Sequence, residues 1–196
     1  MAAPAVPMPP ACRCVDRPRH VTAIASAARF DGPLRAIVHA FKYGGHQSIG
    51  APLAAQLAGH PHIRLHEVDV VVPVPLHPWR RVRRGYNQAE RIARHLGPPV
   101  VHALTRLHWR PAQAGLSADE RRRNVGDAIA LHPLHLSGRR AWRHDVLAGA
   151  RVLLVDDVVT TGGTLSACAA VLRRAGVRDV RAATVARTEL DGRASV

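Results

Sequence analysis

Residues 152–164 read Val152-Leu153-Leu154-Val155-Asp156-Asp157-Val158-Val159-Thr160-Thr161-Gly162-Gly163-Thr164, and no other stretch of the chain decides as much. Val152 to Val155 form an apolar run suited to a strand buried on both faces. Leu165, Cys168, Ala169 and Leu172 then recur at i, i+3, i+4 and i+7 as one face of a helix. The stretch therefore predicts a central parallel strand that stops at two carboxylates, followed by a loop that opens a helix. Backbone N–H groups left unpaired at a helix N-terminus, with the positive end of the helix dipole, favour phosphate. Gly162 and Gly163 let the backbone approach and Thr160, Thr161 and Thr164 add hydroxyl donors, so the loop suits a phosphate monoester. Asp156 and Asp157 repel such a group, but they accept hydrogen bonds from vicinal hydroxyls or hold water on a divalent cation. A phosphorylated sugar satisfies both halves.

Other nucleotide motifs are excluded by their parts. A Walker loop ends in Gly-Lys-Thr/Ser and a dinucleotide fold needs G-x-G-x-x-G after its strand; neither is present here. A receiver domain also starts from an apolar strand and paired acids, but it needs a longer stretch after them than residues 158–196.

The 196 residues suffice for one α/β domain with a sizeable core, and no composition break divides them. The expected organisation is a loose N-terminal arm over residues 1–20 and a domain over 21–196. A formal charge of +14 ordinarily points to nucleic acid or another polyanion. Lys42, however, is the only lysine among 28 Lys and Arg residues, and the abundance of Arg beside Ala, Gly and Pro fits a coding bias equally well. Charge alone leaves single-stranded DNA binding open, and with aromatics at 4% such a contact would be mainly electrostatic. Met1 to Pro10 lacks a basic n-region and a continuous apolar core, and no run reaches membrane-spanning length. Three cysteines make no disulfide framework, so a cytoplasmic location is expected, with Cys168 in the core.

Working outward, Val21 to Phe30 predicts a strand and Asp31-Gly32-Pro33 a helix start. Leu34, Ile37, Val38 and Phe41 make that helix's apolar face, and it ends at Lys42-Tyr43-Gly44-Gly45. A second helix begins near Pro52 with Leu53, Leu57 and Ala58 inward. Val68 to Val74 is the other strongly apolar strand, running into a loop with Arg80, Arg81, Arg83 and Arg84. Ala89, Ile92, Ala93 and Leu96 are the buried side of the next helix, and Val100 and Val101 suggest a short strand. Residues 106–124 are polar and Arg-rich, with a capping box at Ser117 to Glu120, and read as a flap. The histidines of residues 132–149 lack metal-ligand spacing, and Val180 to Ala186 predicts a closing strand. Alternating strand and helix patterns give an α/β fold with a mostly parallel central sheet flanked by helices.

The Val152 to Thr164 stretch resembles the phosphoribosyl pyrophosphate (PRPP) loop of type I phosphoribosyltransferases, where two acidic residues take the ribose hydroxyls and the loop takes the 5′-phosphate. With Phe41-Lys42-Tyr43-Gly44, Val72-Pro73-Val74-Pro75-Leu76-His77, Arg84-Gly85-Tyr86-Asn87-Gln88-Ala89-Glu90, Gln113-Ala114-Gly115-Leu116-Ser117 and Glu120-Arg121-Arg122-Arg123-Asn124-Val125, the chain is similar to the ComF family of competence-associated proteins from about Phe30 to Thr188. That resemblance implies a type I phosphoribosyltransferase-like fold, PRPP and Mg2+ as ligands, and a role in DNA uptake and natural transformation with DNA-uptake proteins as partners. It implies Asp156 and Asp157 as catalytic residues, Thr160, Thr161, Gly162, Gly163 and Thr164 on the 5′-phosphate, and Lys42, Arg80 and Arg84 on pyrophosphate. Gln113, Arg121 and Asn124 then belong to a flap that closes over the ligand. Mg2+ is expected through the substrate, with Asp156 and Asp157 reaching it through water rather than as direct protein ligands.

Family members commonly carry an N-terminal zinc ribbon with two C-x-x-C pairs. Here Cys12 and Cys14 stand one residue apart, and adding His20 still leaves a ligand short, so no structural zinc is expected. The arm is a shortened or degenerate remnant, or the true start lies upstream. Three functions stay open: a PRPP-dependent transferase, a PRPP sensor without turnover, and a competence protein that handles single-stranded DNA. Neither acceptor nor oligomeric state is legible.

Overall fold

The computed structural model describes residues 18–106, 129–132 and 146–188. They are organised by a four-stranded sheet ordered β1-β6-β5-β2, with β1 at Ala23–Arg29, β2 at Val70–Pro73, β5 at Arg151–Val159 and β6 at Asp179–Arg187. All three neighbouring pairs are parallel, as the apolar runs predict.

β5 is central, and its alternation builds two cores. Val152 and Leu154 pack on one face with Leu165, Cys168, Ala169 and Leu172 of helix α5, Gly163–Arg174. Leu153 and Val155 pack on the other face against α1 (Gly32–Tyr43), α2 (Gly50–Ala58) and α4 (Gln88–Ala93) through Phe41, Leu57 and Ile92. All four β5 side chains are at most 1% exposed.

The strand does not stop at the carboxylates. Its ladder with β6 keeps one register from Arg151↔Asp179 through Asp156↔Thr184 to Val159↔Arg187. Ladder bonds are made by the backbone, so two acidic side chains at an open sheet edge do not interrupt them.

The helices depart from the sequence reading in small ways. α2 starts at Gly50, which leaves Pro52 in its first turn, and Ala54 rather than Ala58 faces inward beside Leu53 and Leu57. Ala58 lies a further 100° or so around the helix and is exposed. Ile37 is likewise 42% exposed, since Val38 and Phe41 already fill the buried stripe of α1. The expected strand at Val100 and Val101 is a single parallel bridge from Val100 to Val71.

The arginine cluster after β2 is a helix rather than a loop: α3, Pro78–Arg84. His77 caps it, its Nδ1 accepting from the Trp79 N–H at 3.1 Å, and Pro78 supplies a pre-set helical φ. Gly85, at φ 77, ends it in the left-handed conformation that favours glycine. Beside the main sheet, β3 (Leu104–Arg106) and β4 (Ile129–Leu131) form an antiparallel pair on either side of residues 107–128. Among the described residues no helix is long and apolar enough to cross a membrane.

Candidate functional site

In an open parallel sheet, ligands gather beyond the carboxyl ends of the strands. Here neighbouring strands β2 and β5 deliver α3 with its arginines and the Thr160 to Gly162 turn to that edge.

Successive residues of a strand point to opposite faces, and this divides the two carboxylates. Asp156 shares the face of Val152 and Leu154, and with Val158 to Leu165 it lines an open pocket. Asp157 shares the other face with Leu153 and Val155, where its Oδ1 pairs with the Lys42 ammonium at 2.9 Å. Lys42 and Asp157 side chains are 20% and 11% exposed, so solvent screens the pair only in part. The only lysine of the chain thus reaches the acidic pair from the last turn of α1.

Burial first, and then the charge of Asp157, push the Asp156 carboxyl up to about 7. The Asp157 N–H, donating at 2.8 Å, and the charges of Lys42 and Arg106 oppose that rise. Unfolded, an aspartate titrates near about 4. The folded chain holds this proton more tightly, so Asp156 subtracts stability as pH rises from about 4 through 7. Asp156→Asn is therefore expected to raise the melting temperature at about pH 8 by roughly 2–8 °C, with the gain vanishing near about pH 4. Thermal unfolding by circular dichroism across that range measures it; an equal difference at both ends would contradict the assignment.

Arg106, at the end of β3, is a site residue that sequence reasoning missed. Burial, then the charge of Arg80, lowers its proton affinity, while Cys168 and Asp156 work the other way. His77 is lowered by burial and then by Arg106 and Arg80. Arg106 thus feels Asp156 on one side and Arg80 and His77 on the other, and among the described residues no carboxylate forms an ion pair with Arg80 or Arg106. Such a cluster favours an anion. Its only sequence signal was position, as the first residue of the polar, Arg-rich segment 106–124. Cys168 is fully buried, which pushes its thiol far up and leaves it in the core as expected.

Arg84 is engaged within the protein. Its Nη1 donates to Gln88 Oε1 at 3.2 Å and its Nη2 to the Tyr43 hydroxyl at 3.1 Å, with the guanidinium 4.9 Å from the Tyr43 ring centre. Arg80 is exposed on α3. Thr160 and Thr161 are exposed, and Gly162, at φ 73, caps α5 with Gly163 and Thr164 in its first turn.

The segment before β1 lies on this turn. The Arg19 N–H donates to Ser166 Oγ at 3.0 Å, and a Cβ at Gly162 would come 2.8 Å from Pro18 Cγ. Gly162→Ala meets both that clash and a left-handed φ, so it is expected to cost roughly 1–3 kcal/mol and to unseat Pro18. Urea denaturation checks the loss; an unchanged midpoint would show that the turn adopts another backbone. Cys12 and Cys14 of the arm lie outside the described residues.

Residues 67–195 match the phosphoribosyl transferase domain family. Competence protein F of Haemophilus influenzae is 33% identical over 165 residues, which cover 79% of this chain and 68% of that protein. The chain belongs to the ComF family of phosphoribosyltransferase-fold proteins. The DNA utilization protein YhgH of Escherichia coli K12 is a further relative, 31% identical over 189 residues that span 91% of this chain and 78% of its own. ComF membership agrees with the parallel sheet order and with a strand–turn–helix unit at β5, Thr160 to Gly162 and α5. Of the ComF motifs, the flap positions Gln113, Arg121 and Asn124 lie outside the described residues.

Proposed function

We propose that this ComF-family protein binds PRPP with Mg2+ and transfers its phosphoribosyl group to a nitrogen acceptor, releasing pyrophosphate. The observation that carries this reading is the pocket in which Asp156 stands beside Thr160 to Thr164 at the start of α5. Threonine hydroxyls and the N–H groups of the first turn bind the 5′-phosphate, and the carboxylate accepts a ribose hydroxyl.

Carboxylate oxygens suit a hard cation, and two adjacent carboxylates, of which Asp156 is raised first by burial and then by the charge of Asp157, favour one. Asp156 and Asp157 would hold Mg2+ through water, and the bound ion would supply charge neutralisation at the pyrophosphate. In the reaction the C1′–O bond to pyrophosphate breaks, the oxygen keeping the electron pair, while the acceptor nitrogen bonds C1′ and loses a proton. Arg80, Arg106 and Lys42 stabilise the charge on the departing pyrophosphate. Release of pyrophosphate from PRPP is expected with at least one member of a panel of nitrogenous acceptors, and a coupled pyrophosphate assay reads it. PRPP binding without release to any acceptor would leave a sensor.

A second reading follows from α3. Trp79 is 61% exposed and Val82 85%, and the Arg83 guanidinium lies 5.6 Å from the Trp79 ring centre. An exposed aromatic among arginines suits single-stranded nucleic acid, and the relatives are named a competence protein and a DNA utilization protein, which supports this reading. On this reading the protein serves DNA uptake by binding single strands or uptake partners. Its affinity for single-stranded DNA should then fall steeply with salt, and a flat dependence would sink it.

A further inference from the structure

Phe41 and Tyr43, the residues on either side of Lys42, are both tied to one segment, residues 84–88. The Phe41 carbonyl lies in the last turn of α1, where backbone acceptors have no helical partner. Two side chains supply donors: the Tyr86 hydroxyl, and Gln88 Nε2 at 3.4 Å. The Phe41 ring, fully buried, stands 5.7 Å from that of Tyr86. Arg84 then bridges Gln88 and the Tyr43 hydroxyl, as described above. The helix ends at once, with the Gly44 N–H donating to the Ala40 carbonyl at 2.7 Å.

A buried amide is retained against its desolvation cost only where it is hydrogen-bonded, and Gln88 is 1% exposed. Its partners here are the backbone just before Lys42 and the arginine that holds the residue just after it. With the helix end held, the Lys42 Cα is already in place, and only the side chain's own rotamer entropy, about 2 kcal/mol for lysine, opposes the pair.

We propose that Tyr86 and Gln88, with Arg84, are positioning residues that brace the end of α1 so that the Lys42 ammonium stays on Asp157. The functional consequence rests on the PRPP reading above: the brace keeps one cation beside the acidic pair, where the ligand's charge is to be balanced. Arg84 acts through this brace rather than as a free pyrophosphate contact.

Because Lys42 is the only lysine, 13Cε-lysine labelling gives a single side-chain signal for the folded, ligand-free protein. Asp157→Asn is expected to move that signal toward its unfolded-chain position. Tyr86→Phe, which removes only the hydroxyl donor, and Gln88→Met, which removes the amide donor together with the acceptor that holds Arg84, are expected to move it the same way. With PRPP and Mg2+, Tyr86→Phe should weaken affinity several-fold in the wild-type background and leave it unchanged in a Lys42→Met background. A signal that neither donor variant moves, in proteins shown folded by circular dichroism, overturns the brace. So does an equal loss of affinity with and without Lys42, which marks a merely structural role. If Tyr86→Phe does not fold, Gln88→Met and Arg84→Met give the same reading. If the wild type fails to bind PRPP, the functional reading falls while the lysine signal still decides the brace.

Discussion

In the Asp156→Asn/Asp157→Asn variant, affinity for PRPP in the presence of Mg2+ is expected to fall at least about a hundredfold. Hydrogen bonds to charged groups contribute about 1.5–3 kcal/mol each, so losing two such acceptors costs about 3 kcal/mol or more, and each 1.4 kcal/mol is about tenfold. The alternation of β5 makes the single variants unequal. Asp156 borders the pocket, so on the proposed PRPP reading Asp156→Asn is expected to remove a ligand contact directly. Asp157 is held by Lys42, so Asp157→Asn also frees that ammonium. Isothermal titration of the three variants reads these effects; a double variant within about tenfold of wild type would show that the ribose lies elsewhere.

Leu153→Ala is the largest stability loss expected. Leu153 is fully buried in the central strand, in register with Val71 of β2 and Arg181 of β6, and packs in the core built by α1, α2 and α4. Truncating such a leucine costs about 2–5 kcal/mol, a large share of the roughly 5–15 kcal/mol that domains possess. Leu154→Ala on the opposite face is expected to cost a similar amount. Urea denaturation with an unchanged m-value measures both. A loss below about 1 kcal/mol would mean that β5 is not the strand around which both layers pack.

Much of this was legible in the sequence because apolar patterning reports burial directly. Val152 to Val155 announced a strand covered on both faces, and Leu165, Cys168, Ala169 and Leu172 announced the helix beside it; all eight are buried. The glycines and threonines of the turn marked its position, since a left-handed residue such as Gly162 has few substitutes. What sequence could not show was direction. Asp156 and Asp157, adjacent in the chain, face opposite sides of the sheet, which becomes plain only once the strand is seen to continue past them. The resemblance puts Arg84 with Arg80 on pyrophosphate, yet its contacts with Tyr43 and Gln88 span 41 and 4 residues, the former beyond any local pattern. Lys42 drew notice as the sole lysine, but its partner lies more than a hundred residues away in the chain. The short strands β3 and β4, three residues each, carried too little patterning to be seen, and with them Arg106 was missed.

If the pocket at the end of β5 receives a phosphorylated sugar carrying pyrophosphate, as proposed, isothermal titration of the wild-type protein with PRPP, with and without Mg2+, reads the binding. The expected result is saturable binding at one site per chain that strengthens when Mg2+ is added. No detectable binding of PRPP with Mg2+ up to about 1 mM would contradict the account.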